Sequence, residues 1–268
     1  TKWLSHIRLI LSASWQVAFH VRFNRLPVLL HCSHGWDRTS QVAAIAQLLL
    51  DPFYRTKIGF STLVEKDFMA FGHPFHTRCG HGEGKGERGA SSAGGQGGEG
   101  VEPNRPQLSP WKTILTANST YTLCPSYPSV LVGPRQISDE DADGQRILRR
   151  VAAFRSEGRM PVLTWGNSMD GASIWRSSQP RIGLQGNRSS ADESYLRAIA
   201  DCASNAAVPP EKAWSLFRIP SRQFLRMLIG GTNEGDLLSN GPTGPPFGLK
   251  IMDLRPKSSA VANRTQGA

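Results

Sequence analysis

The chain has 268 residues, 39% of them apolar, and 31 Lys and Arg against 21 Asp and Glu give a formal net charge of +10. This allows one α/β domain or a pair of smaller ones with a real core, and it excludes a bilayer-spanning chain, because no apolar run approaches the ~18 residues required. The basic balance suits an anionic partner such as a membrane surface, or simply a solubilising surface, whereas scattered basic residues without interleaved aromatics argue against nucleic acid.

In chain order, residues 3–23 read as an amphipathic helix, with Trp3, Ile7, Ile10, Leu11, Val17 and Val21 at helical spacing as core contacts. Residues 26–30 form a short apolar run that reads as a buried strand, with Pro27 tolerable at its start. Residues 39–50, rich in Ala, Leu and Gln, predict a helix. A second helix is expected over 61–70, with Ser61 as N-cap and Glu65 in its early turns. Residues 81–110 read as a disordered linker, since the stretch 81–100 alone holds nine of the chain's 27 glycines. Beyond it, strands are expected at 130–132 and 161–165, with a helix starting at Ser138-Asp-Glu140 and running through Ile147 to Phe154. Ser190-Ala-Asp-Glu193 resembles a capping box before a helix containing Tyr195. A Gly/Pro-rich loop at 233–248 then leads to a buried strand at 249–254. No internal repeat is evident.

Between the first strand and its helix lies His31-Cys-Ser-His-Gly-Trp-Asp-Arg-Thr-Ser40, which reads His-Cys-x5-Arg-Thr. Strand, tight loop and helix aim free N–H groups and the positive end of a helix dipole at an anion. Next to a helix N-terminus and a guanidinium a thiol ionises more readily, so Cys32 is the candidate nucleophile. Arg38 can curl back to bind two phosphate oxygens as a fork, which a lysine cannot do. Gly35 permits a turn that a β-carbon would obstruct, and Thr39 is placed to donate its hydroxyl to the sulfur. Asp37 is the nearest carboxyl for protonating a leaving oxygen and then activating water. His31 is expected to order the loop by hydrogen bonding, and Trp36 to wall the pocket from water. The phosphate-binding set is Ser33, His34, Gly35, Trp36, Asp37 and Arg38, and the catalytic set Cys32, Asp37 and Arg38. This chemistry needs no metal or cofactor.

The loop resembles the active site of the myotubularin family of phosphoinositide 3-phosphatases, whose motif reads HCSDGWDRT. The likeness extends to Thr1-Lys-Trp-Leu-Ser-His-Ile7, to Gln47-Leu-Leu-Leu-Asp-Pro-Phe-Tyr-Arg-Thr56, and to Gly59-Phe60, Val64-Glu-Lys-Asp67 and Phe71-Gly-His73. It implies a cysteine-phosphatase-like α/β domain, a central mixed sheet flanked by helices. It also implies hydrolysis of the 3-phosphate of phosphatidylinositol 3-phosphate and phosphatidylinositol 3,5-bisphosphate, with the acid inside the loop at Asp37. The partners implied are phosphoinositides at a membrane surface and other family members in homo- or hetero-oligomers. The location implied is cytoplasmic, peripheral to endosomal membranes. One departure is His34, where the family has Asp; it removes a negative charge beside the phosphate.

A second block also resembles the family: Tyr121-Thr-Leu-Cys-Pro-Ser-Tyr-Pro128, Phe154-Arg155, Gly158-Arg-Met-Pro-Val-Leu-Thr-Trp165, Ser177-Ser-Gln-Pro180, Asp253-Leu-Arg-Pro256 and Ala262-Asn-Arg264. In the family these segments precede the catalytic cysteine; here they follow it. The chain therefore reads as a C-terminal-type half at 1–80, a linker at 81–110 and an N-terminal-type half at 111–268. A circular permutant, a fragment across two tandem copies and a misordered coding sequence all fit this order. Thr1 in place of an initiating Met and the Gly-rich stretch favour a fragment or a misordered sequence. The segments that would join the second block to Thr1 and continue past His81 are missing, as is the family's usual N-terminal membrane-binding domain.

Three further readings stay open on sequence alone. His73, His76, Cys79 and His81 crowd three imidazoles and a thiol into nine residues, but a zinc site ordinarily brings a second ligand pair that this stretch lacks. Cys32, Cys79, Cys124 and Cys202 show no paired spacing, which suggests free thiols in a reducing compartment. Arg176 and Arg181 are either cations at a binding surface or, the favoured reading, solvated strand-end arginines. For function, a non-catalytic phosphoinositide-binding scaffold and a protein tyrosine phosphatase are the alternatives to a 3-phosphatase.

Overall fold

The computed structural model describes residues 2–79, 111–114, 116–167, 170–182, 186–204 and 248–256. The linker expected at 81–110 and all but Gly248 of the loop expected at 233–248 lie outside them. Helix α1 (Lys2–Phe23) leads into strand β1 (Val28–Cys32), the loop, and helix α2 (Arg38–Leu50). Pro27 sits just before β1, where its missing N–H costs no ladder bond. A 3₁₀ turn (Pro52–Arg55), helix α3 (Lys57–Val64), a π turn (Glu65–Met69) and the four-residue α4 (Phe75–Arg78) follow. The second half supplies β2 (Trp111–Ile114), β3 (Leu131–Pro134), α5 (Ala142–Ala153), β4 (Val162–Gly166), β5 (Ser173–Ser178), α6 (Ser190–Ser204) and β6 (Lys250–Asp253).

Helix starts differ from expectation wherever a better cap lies nearby. The second helix begins at Lys57, not Ser61, because the Thr56 hydroxyl accepts the Gly59 N–H. Asp141 rather than Ser138 caps α5, its carboxylate accepting from Gly144. Ser189, one residue before the expected cap, accepts from the Asp192 N–H at the start of α6. In each case the side chain reaches an N–H three residues on, which the sequence alone did not single out.

One mixed sheet takes strands from both halves, in the order β4-β5-β1-β6. β1 runs parallel to β5 on one side and to β6 on the other, while β4 is antiparallel to β5. Every residue of β1 is buried, as expected for a central strand covered on both faces. Alternation along the sheet divides the core. Leu29, Trp175 and Val162 pack in a cluster with Leu148 and Val151 of α5 and Tyr195 and Ile199 of α6. Val28, Leu30 and Ile174 pack in a second cluster with Val17, Ala18 and Val21 of α1 and Val42, Ala43 and Ala46 of α2.

Two core expectations fail. Trp3 is 70% exposed, with Leu4 and Leu9 nearby also exposed; α1, at 22 residues, is far longer than the 13-residue α2 it packs on, so its first turns find no partner among the described residues. β6, expected to be buried, is mostly exposed, because among the described residues it lies at the sheet edge with β1 on one side only.

Because β1 sits between strands of the second half, neither half buries its sheet face alone. Residues 1–80 and 111–268 expressed separately are expected to show no cooperative unfolding transition, and the intact chain to show one, measured by circular dichroism.

Candidate active site

The loop after β1 is built on a floor supplied by β5. The parallel register places Ser177 beside His31 and Ser178 beside Cys32. Gln179 N–H then donates to the Ser33 carbonyl at 3.3 Å, tying the loop to the end of β5. Gly35 has φ of +78°, and a Cβ there would press into the Ser177 carbonyl. Glycine is therefore required twice, by backbone conformation and by close approach. The Gly35 N–H donates to Cys32 Sγ at 3.3 Å, and the thiol, only 2% exposed, lies at the bottom of the loop.

Helix α2 begins directly after the loop. Its N-cap, Asp37, makes no capping hydrogen bond, and its first turn contains no acidic residue. The N-terminal N–H groups and the positive end of the dipole are thus left for an anion at the loop. Ser40 braces the turn by donating to the Trp36 carbonyl at 3.1 Å. Trp36 stacks on the exposed His34 ring, centroids 5.1 Å apart, so His34 and Trp36 form one aromatic wall.

Two expected roles change. Thr39, fully buried, does not reach the sulfur: its hydroxyl has no hydrogen-bond partner, and the Gly35 N–H takes the place beside Sγ instead. His31 Nδ1 stands 3.8 Å from Asp253, and the ring also meets the Cys32 backbone at the start of the loop. Its carbonyl accepts from Leu254 N–H at 2.8 Å. Arg176 is no solvated strand-end residue: wholly buried, it donates to Asp67 Oδ1 at 3.2 Å, to Ser40 Oγ at 2.6 Å and to the Gly35 carbonyl at 3.0 Å. Arg181 is exposed, as the solvated reading has it.

Arg38 anchors one nitrogen, Nη1, on the Leu254 carbonyl at 3.1 Å, which fixes the guanidinium at the end of β6. Asp37 is held by a residue the sequence did not flag. Arg78, at the end of α4, forks onto both its carboxylate oxygens at 2.8 and 2.7 Å, and His73 lies 3.8 Å away. Burial opposes ionisation of Asp37, but the Arg78 hydrogen bonds and charge outweigh it and hold the carboxyl below its usual range. His73 Nδ1 also lies 2.6 Å from the Trp36 carbonyl. The cluster read as a zinc alternative thus supplies loop braces in His73 and Arg78, while His81 lies outside the described residues.

Beneath this layer runs a buried polar network. Asp67, fully buried, accepts from Gln47 Nε2 at 2.8 Å, from Lys66 Nζ at 2.6 Å, from Thr164 and from Arg176. Arg159, also fully buried, donates to the Gly35 and Phe71 carbonyls at 3.2 and 3.0 Å and to Ser126 Oγ at 2.7 Å. Arginines are normally exposed, so neither composition nor spacing marks these two. The available signal was that Arg159 sits inside the family-like segment 158–165 and Arg176 directly before the one at 177–180.

The family model described as the myotubularin-like phosphatase domain matches residues 1–94 and 97–268. Over 83 residues the chain is 55% identical to a phosphatidylinositol-3,5-bisphosphate 3-phosphatase, MTMR4, of Mus musculus and to its Homo sapiens counterpart. Over a stretch of the same length it is 49% identical to the myotubularin of Xenopus laevis. Each aligned stretch covers 31% of this chain, and it spans only 7% of the mouse and human proteins and 14% of the Xenopus protein.

Burial pushes the His31 imidazole down to about 4, against the opposing pull of Asp253. The folded state therefore keeps His31 neutral where the unfolded chain, titrating near 6.5, takes up a proton. Stability is unaffected above that pH, falls as pH drops from about 6.5 to 4, and loses nothing further from this group below. The loss approaches about 3 kcal/mol. Denaturant titrations of the wild type and His31→Gln across that window should show the slope in the former and its flattening in the latter.

Proposed function

The chain belongs to the myotubularin-like phosphatase family, and from that premise we propose that it is a cysteine-dependent phosphoric monoester hydrolase acting on 3-phosphoinositides. The observation that carries the reading is Cys32 Sγ at the base of a loop, held by the Gly35 N–H at 3.3 Å and placed before the uncapped N-terminus of α2. The mouse and human relatives are named as phosphatases of phosphatidylinositol 3,5-bisphosphate, and that head group with phosphatidylinositol 3-phosphate is the substrate class we assign.

The Cys32 thiolate attacks phosphorus, forming the S–P bond as the bond from phosphorus to the inositol 3-oxygen breaks. The Arg38 guanidinium and the first N–H groups of α2 bind the equatorial oxygens where charge accumulates. The leaving oxygen takes the proton of the Asp37 carboxyl, and water then attacks the cysteinyl-phosphate while its proton passes to the Asp37 carboxylate, yielding inorganic phosphate and the thiolate. The depressed pKa of Asp37 suits the second step, in which a carboxylate accepts the water proton. Service as the acid in the first step requires the Arg78 fork to open. His34 and Trp36 shape the mouth, and Ser33 and Gly35 complete the cradle.

The two halves act in this reading as one domain, whatever their order. Among the described residues no helix is long and apolar enough to cross a membrane. A lipid substrate then has to be met at a membrane surface, to which the +10 charge draws the chain; a peripheral, endosomal location and association with family members follow from the resemblance. A second reading, a phosphoinositide binder without turnover, is favoured by the same Arg78 fork that occupies Asp37.

Reduced wild type is expected to release phosphate from a 3-phosphoinositide in vesicles, Cys32→Ser to release none, and a phosphotyrosine peptide to be a poorer substrate. Lipid binding without release by the wild type would select the binder. If the enzyme reading holds, Arg78→Met removes the cation that holds Asp37 ionised, so the limb of the pH–rate profile belonging to Asp37 should move to higher pH.

A further inference from the structure

The reaction as described makes no use of the two buried arginines beneath the loop, and they differ in one respect. Arg176 has a carboxylate partner, Asp67. Arg159 has none among the described residues: its acceptors are the Ser126 hydroxyl and the carbonyls of Ser126, Gly35 and Phe71. Its remaining neighbours are ring faces, with the guanidinium carbon 5.3 Å from the Trp36 centroid and 4.5 Å from that of Tyr127. Asp67 must also serve Lys66, so that one carboxylate is shared by two cations, Lys66 and Arg176, and none is left for Arg159. A wholly buried guanidinium surrounded by neutral acceptors is strongly disfavoured unless an anion lies nearby.

Both arginines converge on the carbonyl of Gly35, Arg159 at 3.2 Å and Arg176 at 3.0 Å. The peptide is planar and trans, so the N–H across it, that of Trp36, points away from the two cations. Fixing the carbonyl also fixes the left-handed Gly35, whose own N–H meets Cys32 Sγ. The sulfur is within electrostatic reach of this layer. Burial lowers the pKa of Arg176 most, Asp67 raises it, Arg159 lowers it again, and Cys32 raises it.

We propose that Arg159, together with Arg176, is a cationic floor whose missing counter-charge is the anion held in the loop, first the Cys32 thiolate and then the bound phosphoryl group. Arg159 is a positioning residue. It acts through the Gly35 carbonyl, aiming the loop N–H groups upward while its charge favours an anion above them. This rests on the reading of the loop as a phosphate cradle.

The test uses the full chain as wild type, Arg159→Met and Arg159→Lys, with folding checked by circular dichroism. Two quantities are read: the pH dependence of iodoacetamide alkylation at Cys32, followed by peptide mass spectrometry, and the affinity for tungstate by calorimetry. In Arg159→Met the alkylation profile should move to higher pH, with the rate at neutral pH and the tungstate affinity each down about tenfold. Arg159→Lys keeps the charge and should stay within about threefold of wild type in alkylation. Superposition of Arg159→Met on wild type in both readouts overturns the proposal. So does an equal loss in both variants, which is the signature of a brace without an electrostatic role. If Arg159→Met does not fold, folded Arg159→Lys decides alone: alkylation within about threefold supports the floor, and a tenfold loss overturns it. Wild type that binds no tungstate and alkylates no faster than glutathione would instead bring down the cradle reading itself.

Discussion

Gly35 is the point in the loop where groups from the two halves of this chain converge. Its N–H is committed to Cys32 Sγ, and its carbonyl receives two guanidinium groups that arrive from β5 and from the turn before β4. Its φ of +78° and the Ser177 carbonyl beneath it leave no room for any side chain. The loop that carries Cys32 therefore has no independent geometry. Its shape is set by Arg159, Arg176 and Ser177, all more than 120 residues further along the chain.

That dependence gives physical sense to the sheet order. β1 is parallel to both β5 and β6, and all three end at the loop. β5 supplies the floor, and the end of β6 supplies the Leu254 carbonyl that anchors Arg38. Residues flanking the ends of parallel strands converge on one side of a sheet, the usual place for a ligand in such folds. The order of the halves along the chain does not alter this, because strand pairing is set by spatial neighbours.

The electrostatics are layered. At the mouth, Arg78 and His73 hold Asp37 ionised. In the middle lie Arg38, anchored on the Leu254 carbonyl, and the uncapped start of α2. At the bottom, Arg176 and Lys66 share the carboxylate of Asp67, while Arg159 meets only neutral acceptors. The buried charges are organised by Gln47, Thr164 and backbone carbonyls, so the floor is stiff as well as positive.

The sequence alone determined the loop, the places of Cys32 and Arg38 in it, and the strand and helix on either side. These are local: adjacent residues, a period of two or of 3.6, and a spacing of five between Cys32 and Arg38 are all written along one short stretch. Helix starts were legible only to within a few residues, since Thr56, Asp141 and Ser189 compete with neighbouring caps and the choice depends on which N–H each side chain reaches. Tertiary structure decided what Thr39 and His31 do, what holds Asp37, and that Arg176 is buried. Those outcomes depend on which distant groups arrive within 3 Å. For a long, flexible arginine the same residue type serves equally well in water or under a loop, and only the packed neighbours settle which.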